Sequence, residues 1–458
     1  MFKKALKAST ILSLSAISAL VLAACGSETG TGGNDSNDER TPISITWRGT
    51  GDVDNMRDFL EEFAVGFEAE NPDIEIVYEP IFAPEGDYFA RLALIMSSPD
   101  TAPDVVVQDT FMINADASAG FLLRLDDYIS EWDQWPYYIE DLTQGVRDAF
   151  GNIYAIPGTS DSRGLWWNRN VFAEAGIQGE FAPSSWDEIL DAAEIIRDNT
   201  DAIPLSFNVH RGNGEAVTMQ TFLMFLHGAG EVLFDFDEGA WVVESQGFLD
   251  SLVFIDEVFN QRNLGPSMGV AMNSNYSSVL FQDKLPNDQA GIVLDGFWNG
   301  ALFREGGAAQ MEDPEAVLGF AAMPTQHGQA PGTVTLAGGW SWSIAAHSNH
   351  HDMAWRVLQA LGSEETQTAR VMNDGNLAVR SDSALNEAYA NRPFISEATS
   401  FLENTHFRPA NDDYPQVSVE IQTIVEAVAS GSTTPEQAMA DFAQAVIRIV
   451  GEDNVIRR

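Results

Sequence analysis

Five tryptophans, three aspartates and one arginine in this 458-residue chain have the types and positions to hold a flat, hydroxyl-rimmed molecule. An indole ring offers an apolar platform for the C–H face of a sugar-like ring. Carboxylates and guanidinium groups bond its hydroxyls in fixed directions. Trp340 follows Gly338-Gly339, a pair that lets the backbone turn and project the ring off a strand end. Trp47 ends the alternating run Ile43-Ser44-Ile45-Thr46-Trp47, where a ring would face out of the sheet end, with Arg48 and Asp52 close behind. Trp166 and Trp167 are adjacent, so strand alternation places one ring in a core and the other outward, and either is a candidate. Asp109 ends the apolar run Val105-Val106-Val107 with a carboxylate. Asp295, in Asp295-Gly296-Phe297-Trp298, could accept two hydroxyls or cap a turn, and Arg408 could fork to a hydroxyl pair or serve a structural ion pair. Trp132, Trp135, Trp186 and Trp355 lie in helical patterns and read as packing.

Signatures of bond-breaking chemistry are missing. The chain has no Gly-x-Ser-x-Gly, no His-Glu-x-x-His, no phosphate-binding glycine loop and no cysteine placed as a nucleophile. His350-His351 sits in a polar stretch before a helix and is not read as a metal site; FDFDEG at 234–239 lacks the spaced ligands of a calcium loop and reads as a turn. With 68 carboxylates, any acid pair picked out as a glycosidase dyad would be arbitrary. No catalytic residue, cofactor or metal is expected.

Charge narrows the partners. The formal net charge is −44, and beyond residue 24 Lys284 is the single lysine. Such a chain lacks the basic face that nucleic acid requires. A hydrophobic content of 45% and an aromatic content of 10% argue for a folded body with an acidic surface, as in salt-adapted bacteria, rather than for disorder.

The N-terminus reads separately. Lys3, Lys4 and Lys7 precede the uncharged run ILSLSAISALVLA, which rises only about 20 Å as a helix, too short for a hydrocarbon core of about 30 Å. Residues 1–24 therefore read as an export signal. Leu22-Ala23-Ala24-Cys25-Gly26 resembles the bacterial lipobox, which would make Cys25, the sole cysteine, the lipidated first residue of the mature chain. Residues 25–41 form a polar, glycine-rich tether, and the body must fold without a disulfide.

Strand and helix signals alternate through the body. Helical spacing covers 54–70 and 88–96, and SSWDEIL opens a helix with a capping box at Ser185 and Glu188. TVTLAGGWSWSI is strand-like around its glycine pair, helices are expected over 352–361 and 435–450, and the rhythm predicts α/β units on largely parallel sheets.

Several of these segments, in order, resemble one family. FEAENPDIEIVYE, TAPDVVVQD, GNIYAIPGTSDSRGLWWNRNVFAEAGI, QAGIVLDGFWNGALF, LGFAAMPT and LAGGWSWSIAAHS are similar to stretches of the family 1 extracellular solute-binding proteins of sugar-importing ABC transporters. Trp47-Arg48 replaces the familiar first-strand aromatic pair, and Arg169 the usual lysine. The resemblance implies a two-lobed periplasmic-binding-protein fold whose lobes are joined by crossover strands around a ligand cleft. It implies an N-lobe of 42–155 plus 325–378 and a C-lobe of 156–324 plus 379–458. Trp298 matches the family's cleft tryptophan, and Asp161 precedes the first lobe crossing. The expected activity is capture of a mono- or oligosaccharide, without catalysis, by a monomer lipid-anchored outside the cell membrane, and its delivery to permease subunits. The alternatives are an extracellular carbohydrate-degrading lipoprotein and a ligand-sensing partner of a membrane receptor.

Overall fold

A computed structural model describes residues 40–49 and 55–458. Cys25, the signal segment, nearly all of the tether and Asp52 lie outside the described residues.

The first sheet grows from the alternating run at the start of the body. The strand Thr41–Gly49 pairs in parallel with Ile74–Phe82 on one side and Val105–Asp109 on the other. Ile43, Ile45 and Trp47 are fully buried in it. The helix Asn55–Glu70 covers this sheet with Phe59, Leu60, Ala64 and Phe67, the three- and four-residue steps that put apolar side chains on one face. Trp340–Ile344 then joins antiparallel between Val105–Asp109 and Ala155–Pro157. The second sheet runs in the order Leu318–Ala321, Arg163–Asn168, Ala290–Gly296, Ile203–Ser206, with only the last pair parallel.

The fold is α/β and two-lobed, with one larger sheet in each lobe and two further three-stranded sheets, but its sheets are mixed rather than largely parallel. The cause is the connectivity. A strand reached through a helix lies parallel to its neighbour, whereas one that enters directly from the opposite lobe arrives in the reverse direction. The chain makes three such passages. Gly158–Ser162 links Ala155–Pro157 to Arg163–Asn168. Ala337–Gly339 links Thr333–Leu336 to Trp340–Ile344, so TVTLAGGWSWSI supplies two sheets rather than one hairpin. Gly375–Leu377 follows the helix Glu364–Asp374. These passages are tied together: Gly158 N and Thr159 N donate to Trp340 O at 2.9 and 3.0 Å, and Ser160 and Leu377 exchange bonds of 3.1 and 2.8 Å.

Local signals account for several boundaries. Ser185 caps Trp186–Asn199 by accepting from Glu188 N, while the Glu188 carboxylate reaches back to Ser184 N at 2.7 Å, one residue earlier than the usual box. Thr434 caps Pro435–Val450, with proline in the first turn where its missing N–H costs nothing. FDFDEG is a turn: Asp235 Oδ1 accepts from Asp237 N and Glu238 N at 3.0 and 3.1 Å, closing the hairpin of Phe234–Asp235 and Ala240–Glu244. His350 faces Asp104 at 3.1 Å and His351 lies against the Ala346 carbonyl oxygen.

Behind the second passage, His227 and His406 stack with ring centroids 4.1 Å apart and planes 8° from parallel. Burial, reinforced by His406, pushes the His227 imidazole down to about 3. The unfolded chain takes up this proton below its ordinary value, about 6.5, and the folded chain does not, so stability falls as pH drops from about 6.5 toward 3, by up to about 1.4 kcal/mol per pH unit. In urea titrations at pH 7.5 and pH 5, the wild type should lose more stability on acidification than His227→Phe, and equal losses would refute the assignment.

Candidate functional site

Where the passages meet, a cavity of about 540 Å³ opens between the lobes. Trp340 reaches it because of the residue before it. Gly339 has φ +135°, and an added Cβ would lie 1.9 Å from the Thr159 carbonyl oxygen, so only glycine lets the two passages approach this closely. The Trp340 ring stacks on Phe89 at 6.1 Å and 14°, with Tyr88 edge-on at 6.2 Å, and remains partly exposed at the cavity wall. Trp298 lines the cavity from the second lobe. It stands on the turn Phe297–Leu302 at the end of Ala290–Gly296, and the Arg163 guanidinium lies 5.0 Å from its ring centroid. Each indole is thus held by a neighbour and still presents surface to the cavity.

Buried charges frame these platforms. Arg408 is paired with Asp109, at the end of the first lobe's strand, and with Glu215 of the second lobe at 3.5 Å. Its guanidinium also sits 4.7 Å from the Phe111 ring and donates to Thr110 Oγ1 at 2.9 Å. The two carboxylates hold the guanidinium charged despite its burial. Glu215 accepts further bonds from Tyr414 Oη at 2.8 Å and from Ser418 Oγ, and burial raises its carboxyl. Asp161 pairs with Arg163 and accepts from Gly338 N at 2.8 Å, fixing the glycine pair before Trp340. Burial, with Asp109 nearby, pushes the Glu85 carboxyl up to about 7 against the pull of Arg48, 3.7 Å away. Near neutral pH Glu85 can therefore both donate to and accept from a hydroxyl.

Asp109, Asp161, Trp298, Trp340 and Arg408 all line this cavity. The other candidates fall elsewhere. Trp166 and Trp167 are both buried, at 0% and 3% exposure, so neither ring points outward. Their strand is central and covered on both faces. Trp166 packs among Phe281, Phe303, Phe320 and Phe394, and Trp167 against Phe172 and Phe181 under Arg169. Asp295 is buried behind the cavity. It accepts from Gly296 N at 2.7 Å and from Asn208, which in turn bonds Gln220 on the cavity wall, and burial pushes its carboxyl up to about 6. Asp295 therefore positions a lining residue. Trp47 is wholly buried against Tyr78 and borders a side cavity of about 230 Å³ that shares Arg48, Trp340 and Asp374 with the larger one.

Glu85, Glu215, Met219, Gln220, Gln282 and Asn299 also line the site and were missed in the sequence. Met219, Gln220 and Gln282 share one structural cause. They lie in the wide π-helical turns Thr218–Phe222 and Leu280–Lys284, a local irregularity common at functional sites that leaves no periodic trace in sequence. Glu215 closes the glycine-rich HRGNGE stretch directly after Gly214, φ +59°, a turn cue that says nothing of its distant partner.

The profile of the bacterial extracellular solute-binding protein family matches residues 53–368, and the chain belongs to that family, whose members bind solutes outside the cytoplasm. A putative binding protein of Brucella abortus is 22% identical over 386 residues, covering 84% of this chain and 88% of its own. Among solved structures, an ABC transporter solute-binding protein of Thermotoga lettingae bound with α-D-tagatose superposes with a TM-score of 0.76 at 22% identity, covering 90% of this chain and 100% of its own. The maltose-bound MalE3 of T. maritima gives a TM-score of 0.76 at 21% identity with the same coverage.

Proposed function

We propose that this protein is the substrate-binding component of an ABC importer and captures a carbohydrate between its lobes for delivery to the membrane permease. The observation that carries the reading is the pair of partly exposed indoles, Trp340 and Trp298, which reach one polar cavity from different lobes. Platforms plus carboxylates, amides and a hydroxyl-competent Glu85 match the apolar faces and hydroxyl rim of a sugar. The sugars bound by the two solved relatives support it. In this reading the N-lobe is 42–155 plus a second segment that begins at the Ala337–Gly339 passage rather than at 325 and runs to 378, and 156–336 plus 379–458 form the C-lobe. Closure is a hinge motion at the three passages, favoured by contacts made only when the lobes meet. Trp298, Trp340, Asp109, Asp161 and Arg408 bind or frame the ligand, and the chain works as a monomer without catalysis.

The anchor is Cys25, which receives a lipid on its thiol, becomes the first residue once the signal is removed, and is joined to the body by an acidic leash. A panel of mono- and oligosaccharides tests the function: at least one should raise the melting temperature with no product released, and turnover would replace binding with hydrolysis. For the anchor, mass spectrometry of the mature N-terminus should find diacylglyceryl-Cys25, and an unmodified thiol there would remove it.

A further inference from the structure

A second cavity, of about 460 Å³, lies on the far side of Arg408 from the first. Arg408 lines both. One buried ring, Phe89, braces both linings from behind. Trp340 of the first cavity stacks on Phe89, and Phe89 meets Phe111 of the second edge-on at 4.9 Å and 81°. Phe407 and Phe236 add two further rings, and Thr110, Gln144 and Arg147 add polar groups. This is again a lining of platforms and hydrogen-bonding groups.

Two exposed rings stand at its mouth. Phe236 is 64% exposed at a hairpin tip, and Phe150, between lining residues Ala149 and Gly151, is 89% exposed. A single exposed ring needs no explanation, but two beside one cavity mouth offer apolar platforms to whatever fills it. Both are also held in place. Phe236 packs edge-on against Phe234 at 5.0 Å, and the Asp235 carboxylate before it is bound by Arg458 at 2.8 Å. The loop carrying Phe150 is fastened by Asp148, which accepts from Phe150 N and Asn152 N at 2.9 Å, and by Arg147, which donates to Gly151 O at 2.8 Å. Rings fixed in advance in this way lose little freedom on binding.

We propose that this second cavity is an outer saccharide subsite, so that the ligand is an oligosaccharide longer than two units, running from the Trp340–Trp298 cavity past Arg408 and onto Phe236. The inference rests on the carbohydrate reading above. It gives Arg408 a second task, as the partition against which the sugar chain bends from one chamber into the next.

The test compares di- and hexasaccharides of the maltose, cellobiose and xylobiose series by titration calorimetry, using the wild type and Phe236→Ala. In the series that binds, the hexasaccharide should bind the wild type at least about tenfold more tightly than the disaccharide, a difference of about 1.4 kcal/mol. Phe236→Ala should remove that advantage, leave disaccharide affinity unchanged and melt with the wild type, because its ring is outside the core. Equal affinity for both lengths, or a variant that keeps the long-chain advantage, overturns the subsite while leaving carbohydrate binding intact. Binding of none of the six sugars, at either length, would overturn the subsite, and the panel of mono- and oligosaccharides described above then decides the carbohydrate reading separately.

Discussion

Arg408→Met should destabilise the protein by about 3–5 kcal/mol at neutral pH, the usual cost of stranding a buried charge by removing its partner. The side chain of Arg408 is 4% exposed and those of Asp109 and Glu215 are 11% and 9% exposed, so water cannot replace the guanidinium. The deficit should also depend on pH in a definite direction. Burial already raises the Glu215 carboxyl, and without the arginine it should rise further above its unfolded value. A group raised in this way holds its proton in the folded state after the unfolded state has released it, so the variant should weaken as pH climbs from about 4 toward 7. Urea midpoints at pH 4.5 and pH 7.5 should therefore show a small deficit at the lower pH and a large one at the higher. Adding Asp109→Asn and Glu215→Gln should restore much of the loss. A deficit below about 1 kcal/mol at both pH values would mean that the ion triad is structurally neutral.

Trp340→Ala should give the largest loss of ligand affinity, about 10- to 100-fold, because truncating a central aromatic anchor removes both contact area and the shape that excludes water. The fold should survive. The ring is partly exposed, and its supports Phe89 and Tyr88 keep their contacts with each other at 5.2 Å. Calorimetry with any saccharide that binds the wild type measures the loss, and an unchanged dissociation constant would take Trp340 out of the site. Because Trp340 O accepts from Gly158 N and Thr159 N, the backbone beneath the ring is held independently of the indole. The substitution therefore reports on the platform rather than on the passages.

How far the sequence reached follows from which cues are local. Gly338-Gly339 marks a tight approach by its own chemistry, and Trp340 was placed from it. Alternation in Thr41–Gly49 and the capping serine at 185 likewise act within a few residues. Trp166 and Trp167 show where such reasoning stops. Strand alternation assumes one wet face, but the helix that follows directly brings Phe172 onto Trp167, and rings from distant sequence, Phe320 among them, cover Trp166. Asp295 was misplaced for a related reason: its neighbour Trp298 reaches the cavity only because the chain turns after Gly296. An added Cβ at Gly296 would lie 1.9 Å from that ring. Glu215 was illegible because its significance is the buried Arg408, 193 residues away. The direction of the sheets, too, was set by passages between lobes rather than by the strand–helix rhythm.

The π-helical turn Leu280–Lys284 has a practical corollary. Gln282 within it lines the cavity, and the turn ends at Lys284, the single lysine beyond residue 24, whose ammonium donates to Gln289 Oε1 at 2.7 Å. Amine-reactive dyes would thus find one ε-amino group in the folded body, two residues from the cavity wall. The acidic, lysine-poor composition leaves the molecule with a ready-made attachment point for a fluorescent reporter of occupancy, with no engineered cysteine needed.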